Sequence, residues 1–428
     1  MDKFIIQGGA PLRGHVTPSG NKNAALPIIA AALLTDEPLT LRNVPRIRDV
    51  QDMLGILAEV GVEVHHQDPH TVTLRAANLR DSRLNQQLCA QIRASILFAG
   101  PMLARRGEVF LPPPGGDVIG RRRVDTHFFA LRELGAEVEV KDGYQIRTGG
   151  LKGADIFLDE TSVTATENAL MAAALATGVT VIRNAASEPH VSELAQVLNR
   201  MGAHIDGIGS NTLTIHGVDR LHGAEFEIGP DHIEVGSFIA LAAATHGEVT
   251  IHNTRKADLR MITIGFERLG VECQIRDNQV FIPAQQSLQI QSDINNAVAK
   301  IDDGPWPAFP TDLMSMMLVT ATQCQGTILI HEKMFEGRMF FVDRLVSMGA
   351  RIVLCDPHRA VVVGPARLRA EPGGLPSPDI RAGMALLEAA LCADGCTIIQ
   401  NIGQIDRGYE HIEDKLRALG AQIERVSS

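Results

Sequence analysis

One short signature recurs six times along this chain, and no other feature limits its possible folds as strongly. It reads ValGlyValGluVal at 60–64, LeuGlyAlaGluVal at 134–138 and MetGlyAlaHisIle at 201–205. It returns as LeuGlyValGluCys at 269–273, MetGlyAlaArgIle at 348–352 and LeuGlyAlaGlnIle at 419–423. The glycines fall at 61, 135, 202, 270, 349 and 420, leaving gaps of 74, 67, 68, 79 and 71 residues. Self-similarity at such a period marks a repeated supersecondary unit that buries its apolar face against its neighbours. Each copy reads as a helix stopped by glycine, where a left-handed cap carries no Cβ penalty, and then a strand.

A second element runs in phase with the first. AsnAlaLeuMetAlaAlaAlaLeuAlaThrGly at 168–178 precedes a β-rich run, and so does SerPheIleAlaLeuAlaAlaAlaThrHisGly at 237–247. The others begin near Asn23, Arg93, Asp312 and Arg381. Helices that are apolar nearly all round belong in a core, whereas amphipathic stretches such as 50–60 and 191–201 suit the outside. The pattern predicts an α/β protein of six repeats of about 70 residues, each with two helices and several short strands. IleGlyProAsp at 228–231 interrupts it. The expected domains are 22–229, with three repeats, and 1–21 plus 230–428, with three more. Central helices opening at a cleft between the two would aim free N–H groups and positive dipole ends at an anionic ligand. Closure of the two lobes would exclude water.

Composition narrows the function. The net charge is −10, with 45% apolar and 21% charged residues. That argues against a disordered chain and against a general nucleic-acid binder. With 14 Phe, two Tyr and one Trp, a stacking platform for bases is not expected. MDKFIIQGGA at the start has neither the basic stretch nor the apolar core of a signal peptide. The longest apolar run, 24–34, contains a proline and is too short to span a bilayer. Six cysteines without CxxC spacing read as reduced thiols packed like small apolar residues, and fifteen histidines show no HExxH pattern. The expectation is a cytoplasmic protein with no metal site, no cofactor, no membrane contact and small-molecule partners; the oligomeric state is not legible.

Several segments could carry chemistry. ProSerGlyAsnLysAsnAla at 18–24 sets Lys22 and Asn23 at the mouth of the first buried helix, where a lysine is either a solvated turn residue or an anion ligand. The segment 111–127 reads as a long ordered loop carrying Asp117, Arg121, Arg122, Arg123, Asp125 and His127. Adjacent arginines are either a surface cluster or bidentate forks for phosphate and carboxylate. Asp312 opens another apolar helix as a cap or as something more. Asp379 and Arg381 repeat the design, Arg407 precedes the last helix, and Arg93 opens ArgAlaSerIleLeuPheAla.

These motifs resemble one family, the UDP-N-acetylglucosamine 1-carboxyvinyltransferases. The resemblance runs through GlyAsnLysAsnAlaAlaLeuPro (20–27), ArgAlaSerIle (93–96), ProGlyGly (114–116), ValAsp (124–125) and PheProThrAsp (309–312). It ends in AspArgGlyTyrGluHisIleGluAspLysLeuArgAlaLeuGlyAla (406–421), so it covers essentially the whole chain. It implies an inside-out α/β barrel of two domains with the active site between them and a mobile loop around Asp117. The implied reaction transfers enolpyruvyl from phosphoenolpyruvate to the sugar 3′-hydroxyl of UDP-N-acetylglucosamine, releasing phosphate, as the first committed step of peptidoglycan synthesis. By motif, Lys22, Arg122 and Arg407 would hold phosphoenolpyruvate, and Asp312 would orient or deprotonate the hydroxyl beside Asn23. Arg93, Arg122, Arg123, Val124, Asp125, Thr126, Glu160, Thr161, Ser162, Val163 and Met334 would line the UDP-sugar pocket. Asp49, Asp379 and Arg381 would be supporting charges.

Three departures stand out. Asp117 replaces the family's usual loop cysteine and becomes the candidate general acid. Arg123 replaces a usual proline near the expected uracil contact. PheGluGlyArgMet at 335–339 replaces the commoner PheGluAsnArgPhe, a change expected to lie near the acceptor. Two alternatives remain at this level: the same transfer to another acceptor, such as shikimate 3-phosphate or a different nucleotide, and a non-catalytic UDP-sugar-binding paralogue.

Overall fold

A computed structural model describes residues 2–371 and 373–427. All six signature glycines have positive φ, from 78° at Gly270 to 102° at Gly61, a region that L side chains resist. The same two hydrogen bonds close each copy. In the first, Gly61 N–H donates to the Ala58 carbonyl (3.1 Å) and Val62 N–H to the Leu57 carbonyl (3.0 Å). In the last, Gly420 N–H donates to Arg417 and Ala421 N–H to Leu416, both at 3.0 Å. These are Schellman caps, which satisfy the last helical carbonyls and turn the chain into a strand. They end the outer helices Arg48–Glu59, Asp125–Glu133, Pro189–Arg200, Lys256–Glu267, Val342–Ser347 and Ile412–Ala418.

The inner helices among the described residues are α1 (Lys22–Ala31), α2 (Ala99–Arg106), α3 (Val163–Ala173), α4 (His232–Ala244), α5 (Met314–Gln323) and α6 (Ile380–Cys392). Every residue of α4 is buried, as the all-apolar pattern requires. Two starts differ from the apolar pattern: α3 begins at 163 against 168, and α4 at 232 against 237. Their polar first turns are helical because Ser162 and Asp231 cap them. Asp231 Oδ1 accepts from Ile233 N–H (2.8 Å) and Glu234 N–H (3.1 Å). The stretch from Arg93 is a 3₁₀ turn, Arg93–Phe98, and becomes an α-helix only at Ala99.

Among the described residues, six sheets accompany the helices, five of four strands and one of three. In one, Asp155–Phe157 runs parallel to Val179–Arg183, then Thr212–His216 and His204–Asp206 follow antiparallel. The same plan recurs with strands lent from far along the chain. Ala224–Glu227 lies parallel to Leu39–Arg42, and Arg13–Val16 to Glu248–Ile251. Lys3–Gln7 fits antiparallel between Cys396–Gln400 and Gln422–Val426, with Ile5 opposite both Ile398 and Glu424. The three-stranded sheet keeps a single bridge, Arg83 to Phe110, where the others have a parallel strand.

Contacts divide the chain into two compact units. A C-terminal unit holds residues up to Ser19, Val118–Arg121 and Pro230 onward; an N-terminal unit holds Gly20–Asp117 and Arg122–Gly229. Each has three of the six sheets and its own core, built around Phe238, Phe266 and Leu386 in the first and Ile29, Phe98 and Leu170 in the second. The sequence pattern places the boundaries at 21/22 and 229/230 and keeps the whole loop with 22–229. The structure instead assigns Val118–Arg121 to the C-terminal unit, where Ile119 bonds to Gly337 and Arg121 to Glu336. Cys89 and Cys324 are buried as expected of small apolar residues, but Cys355 and Cys396 occupy solvent-facing strand positions. No helix among the described residues is long and apolar enough to cross a membrane.

Candidate functional site

In the N-terminal unit, Asn21 caps α1, its side chain accepting from Asn23 N–H (2.9 Å) and Ala24 N–H (3.2 Å). This cap fixes the direction in which Lys22 and Asn23 leave the first turn. Lys22 is not a solvated turn residue: it is 6% exposed, and its Nζ lies 2.7 Å from Asp49 Oδ2, itself in the buried first turn of Arg48–Glu59. The Arg93 guanidinium donates to the backbone carbonyls of Arg122 and, at 3.0 Å, of Arg123. Burial draws the Arg93 pKa below its ordinary value. Its observed work is to hold the backbone that presents Arg122.

Arg123 gathers carboxylates. Its guanidinium lies 2.8 Å from Asp159, 3.4 Å from Asp125 and 3.5 Å from Glu160. Thr126 Oγ1 donates to the other Asp159 oxygen (2.9 Å), so segments 122–126 and 159–163 are tied together. Val124 is half-buried and immediately precedes the helix Asp125–Glu133, which thus contains Asp125, Thr126 and His127 where a loop was expected. Thr161 bonds Asn184 (2.7 Å), and Ser162 caps α3, whose first residue is Val163.

Beneath this segment lies a histidine that motif reading left unassigned. Asn168 Oδ1 accepts from Gly100 N–H (2.7 Å), which orients its amide so that Nδ2 donates to the Ile96 carbonyl (2.8 Å) and to His127 Nδ1 (2.9 Å). His127 therefore carries its proton on Nε2, which faces Thr164 Oγ1 at 3.0 Å. Burial pushes its pKa down to about 3, assisted by the Arg93 charge. It is a neutral internal strut.

In the C-terminal unit, the N-cap position of the turn Thr311–Leu313 is Pro310, so Asp312 is not the cap. Its carboxylate meets two guanidiniums: Oδ1 accepts from Arg338 (2.7 Å) and Oδ2 from Arg381 (2.8 Å). Arg338 also donates to Thr311 Oγ1 (3.1 Å), and Arg381 donates to the Tyr409 hydroxyl (3.1 Å). Burial works against both charges, but Asp312 and the other groups around each guanidinium together outweigh it and hold both arginines as cations. Glu332 accepts from Thr311 Oγ1 (2.9 Å) and packs on Arg338, and burial pushes its pKa above the ordinary carboxylate range. Asp379 proves to be the N-cap of α6, accepting from Arg381 N–H (2.8 Å) and Ala382 N–H (2.9 Å). Arg407 ends the turn Ile402–Arg407, 9% exposed, and donates to Gln404 (3.0 Å). Met334 is half-buried two residues before Glu336.

Two sets of charged groups thus exist: Lys22–Asp49 with Arg93, Arg122 and Arg123 in one unit, and Asp312, Arg338, Arg381 and Arg407 in the other. Arg338 is the residue that motif reading missed. It was visible only as part of the altered stretch 335–339, and its burial against Asp312 is a tertiary fact. At the departure itself, Gly337 N–H donates to the Ile119 carbonyl of the Asp117 loop (2.8 Å).

A family model described as EPSP synthase (3-phosphoshikimate 1-carboxyvinyltransferase) matches residues 6–416. The enolpyruvyl transferase NikO from Streptomyces tendae superposes with a TM-score of 0.88 at 24% identity, covering 100% of this chain and 99% of its own. EPSP synthase from Acinetobacter baumannii gives 0.76 at 17% identity, covering 100% of both chains. The chain belongs to the EPSP synthase family and has the enolpyruvyl transferase fold. Within that family its relatives are more specific. The UDP-N-acetylglucosamine 1-carboxyvinyltransferase of Bradyrhizobium diazoefficiens is 58% identical over 424 residues, 99% of this chain and 98% of that one. The protein of the same name from Treponema denticola is 54% identical over 424 residues, 99% of each. The chain is a member of the UDP-N-acetylglucosamine 1-carboxyvinyltransferase family.

Proposed function

We propose that this protein transfers the enolpyruvyl group of phosphoenolpyruvate to the 3′-hydroxyl of UDP-N-acetylglucosamine and releases phosphate. The observation that carries this reading is 58% identity across essentially the whole length of a relative bearing that activity in its name. The arrangement of charges supports it, because the reaction needs cations for a phosphate and a carboxylate, a hydroxyl acceptor and a proton donor. Lys22, Arg122 and Arg407 hold phosphoenolpyruvate, with Asp49 keeping the Lys22 ammonium in place. The Asp312 carboxylate accepts the 3′-hydroxyl proton. Asn23 orients the same hydroxyl.

The sugar oxygen then bonds to C2 of phosphoenolpyruvate while Asp117 donates a proton to C3. Loss of a C3 proton and cleavage of the C2–O–phosphate bond restore the vinyl group and expel phosphate. Arg93, Arg123, Val124, Asp125, Thr126, Glu160, Thr161, Ser162, Val163 and Met334 form the acceptor side. Asp379 and Arg381 hold α6 and Asp312.

Phosphate release should require UDP-N-acetylglucosamine and not occur with shikimate 3-phosphate; the reverse preference, or none with either, would overturn this reading. Asp117→Asn should lose about 10²-fold or more in turnover while both substrates still bind. With aspartate in place of the thiol, fosfomycin should cause no time-dependent inactivation, and Asp117→Cys should introduce it.

A further inference from the structure

The segments on either side of Asp117 are each seated by short contacts, three of which set a glycine hard against backbone. On its proximal side, Gly115 N–H donates to the Cys89 carbonyl (3.0 Å), and a Cβ at Gly115 would lie 1.7 Å from the Ala90 carbonyl oxygen. A Cβ at Gly116 would come within 2.9 Å of Arg93 N. On its distal side, within the C-terminal unit, Gly337 N–H donates to the Ile119 carbonyl (2.8 Å) and Arg121 N–H donates to Glu336 Oε1 (2.8 Å). A Cβ at Gly337 would lie 2.5 Å from the Ile119 carbonyl carbon, and one at Gly120 would lie 2.4 Å from Glu336 Oε2. Ile119 is 5% exposed. Only Asp117 and Val118 separate the glycines of the first seat from Ile119 of the second.

We infer that Glu336 and Gly337 are positioning residues that seat the distal limb of this loop and thereby set where Asp117 stands. Asp117 joins this limb through Val118 alone, so ordering Ile119–Arg121 narrows the conformations open to its backbone. Glu336 acts as a backbone acceptor for Arg121, so an amide oxygen can replace its carboxylate. Gly337 acts by having no Cβ. The inference rests on the proton-donor role proposed for Asp117, but the seat itself can be tested without turnover.

Arg121, Arg122 and Arg123 place three trypsin sites at the distal seat. In the full-length protein, Glu336→Ala should be cut there about three- to tenfold faster than the parent, the population change expected for losing one hydrogen bond. Glu336→Gln should be cut at the parental rate. Gly337→Ala should be cut faster than the parent, with a melting temperature unchanged for both the Glu336 variants. In phosphate-release assays Glu336→Ala should lower kcat about three- to tenfold, with KM for both substrates nearly unchanged and Glu336→Gln restoring kcat. Equal cleavage of Glu336→Ala and the parent would overturn the inference, and so would failure of the glutamine to restore both rates. Absence of phosphate release by the parent would overturn the proposed reaction, and the cleavage rates would still decide the seat.

Discussion

Asp312 and His127 illustrate opposite uses of burial at the scale of single residues. Asp312 is held between two guanidiniums, and its charge is the largest of those that offset their burial. Asp312→Asn should therefore remove the hydroxyl acceptor and leave Arg338 and Arg381 without their shared carboxylate. Turnover should fall about 10²-fold or more and stability by about 3–5 kcal/mol, read from phosphate release and urea unfolding. His127 is kept neutral, with a folded pKa of about 3 against an ordinary value of 6.5. Between those values the unfolded chain binds the extra proton, so this contribution to stability is complete above 6.5 and falls as pH drops towards 3. Thermal melts from pH 7 to pH 4 should show a shallower loss for His127→Gln than for the parent.

Among elements, the N-caps are the local signal that the apolar pattern passed over. Asn21, Ser162, Asp231 and Asp379 all accept N–H groups at the starts of inner helices, the local chemistry that Ser, Asn and Asp supply. Asp379 does two things: its carboxylate caps α6, and its charge acts on the Arg338 guanidinium. Asp379→Asn should be nearly neutral in stability, whereas Asp379→Ala should cost about 0.5–2 kcal/mol in denaturant unfolding. A larger loss for asparagine than for alanine would show that charge matters more than capping. The starts of α3 and α4 were misjudged because an apolar count ignores a polar first turn. Capping side chains were the better signal.

Over the whole molecule, the repeats are not filled in simple order along the chain. The strand Lys3–Gln7 completes a sheet whose other members come from 375 onward, and Phe4 and Ile6 within it are fully buried. Removing residues 1–8 would expose the partners of two large side chains, each worth about 1.5–3 kcal/mol, besides breaking two ladders. Hydrogen exchange should then quicken across Cys396–Gln400 and Gln422–Val426 while the N-terminal unit keeps its protection; equal loosening of both units would contradict this division.

The sequence by itself determined the six-unit plan, the glycine stops, the inner and outer helices and most of the charged positions. Those depend on local chemistry: a φ only glycine adopts freely, a side chain reaching the N–H two residues on, and an apolar period of one helix turn. Tertiary structure alone decided which charges meet. Arg338 lies 26 residues from Asp312 and Arg381 lies 69 away, while Asn168 reaches His127 across 41. Nothing in their local patterns marks them as partners, and the burial that gives each pair its electrostatics exists only after the core has closed. The seat of the Asp117 loop is of the same kind, since Gly337 has meaning only once the Ile119 backbone is placed against it.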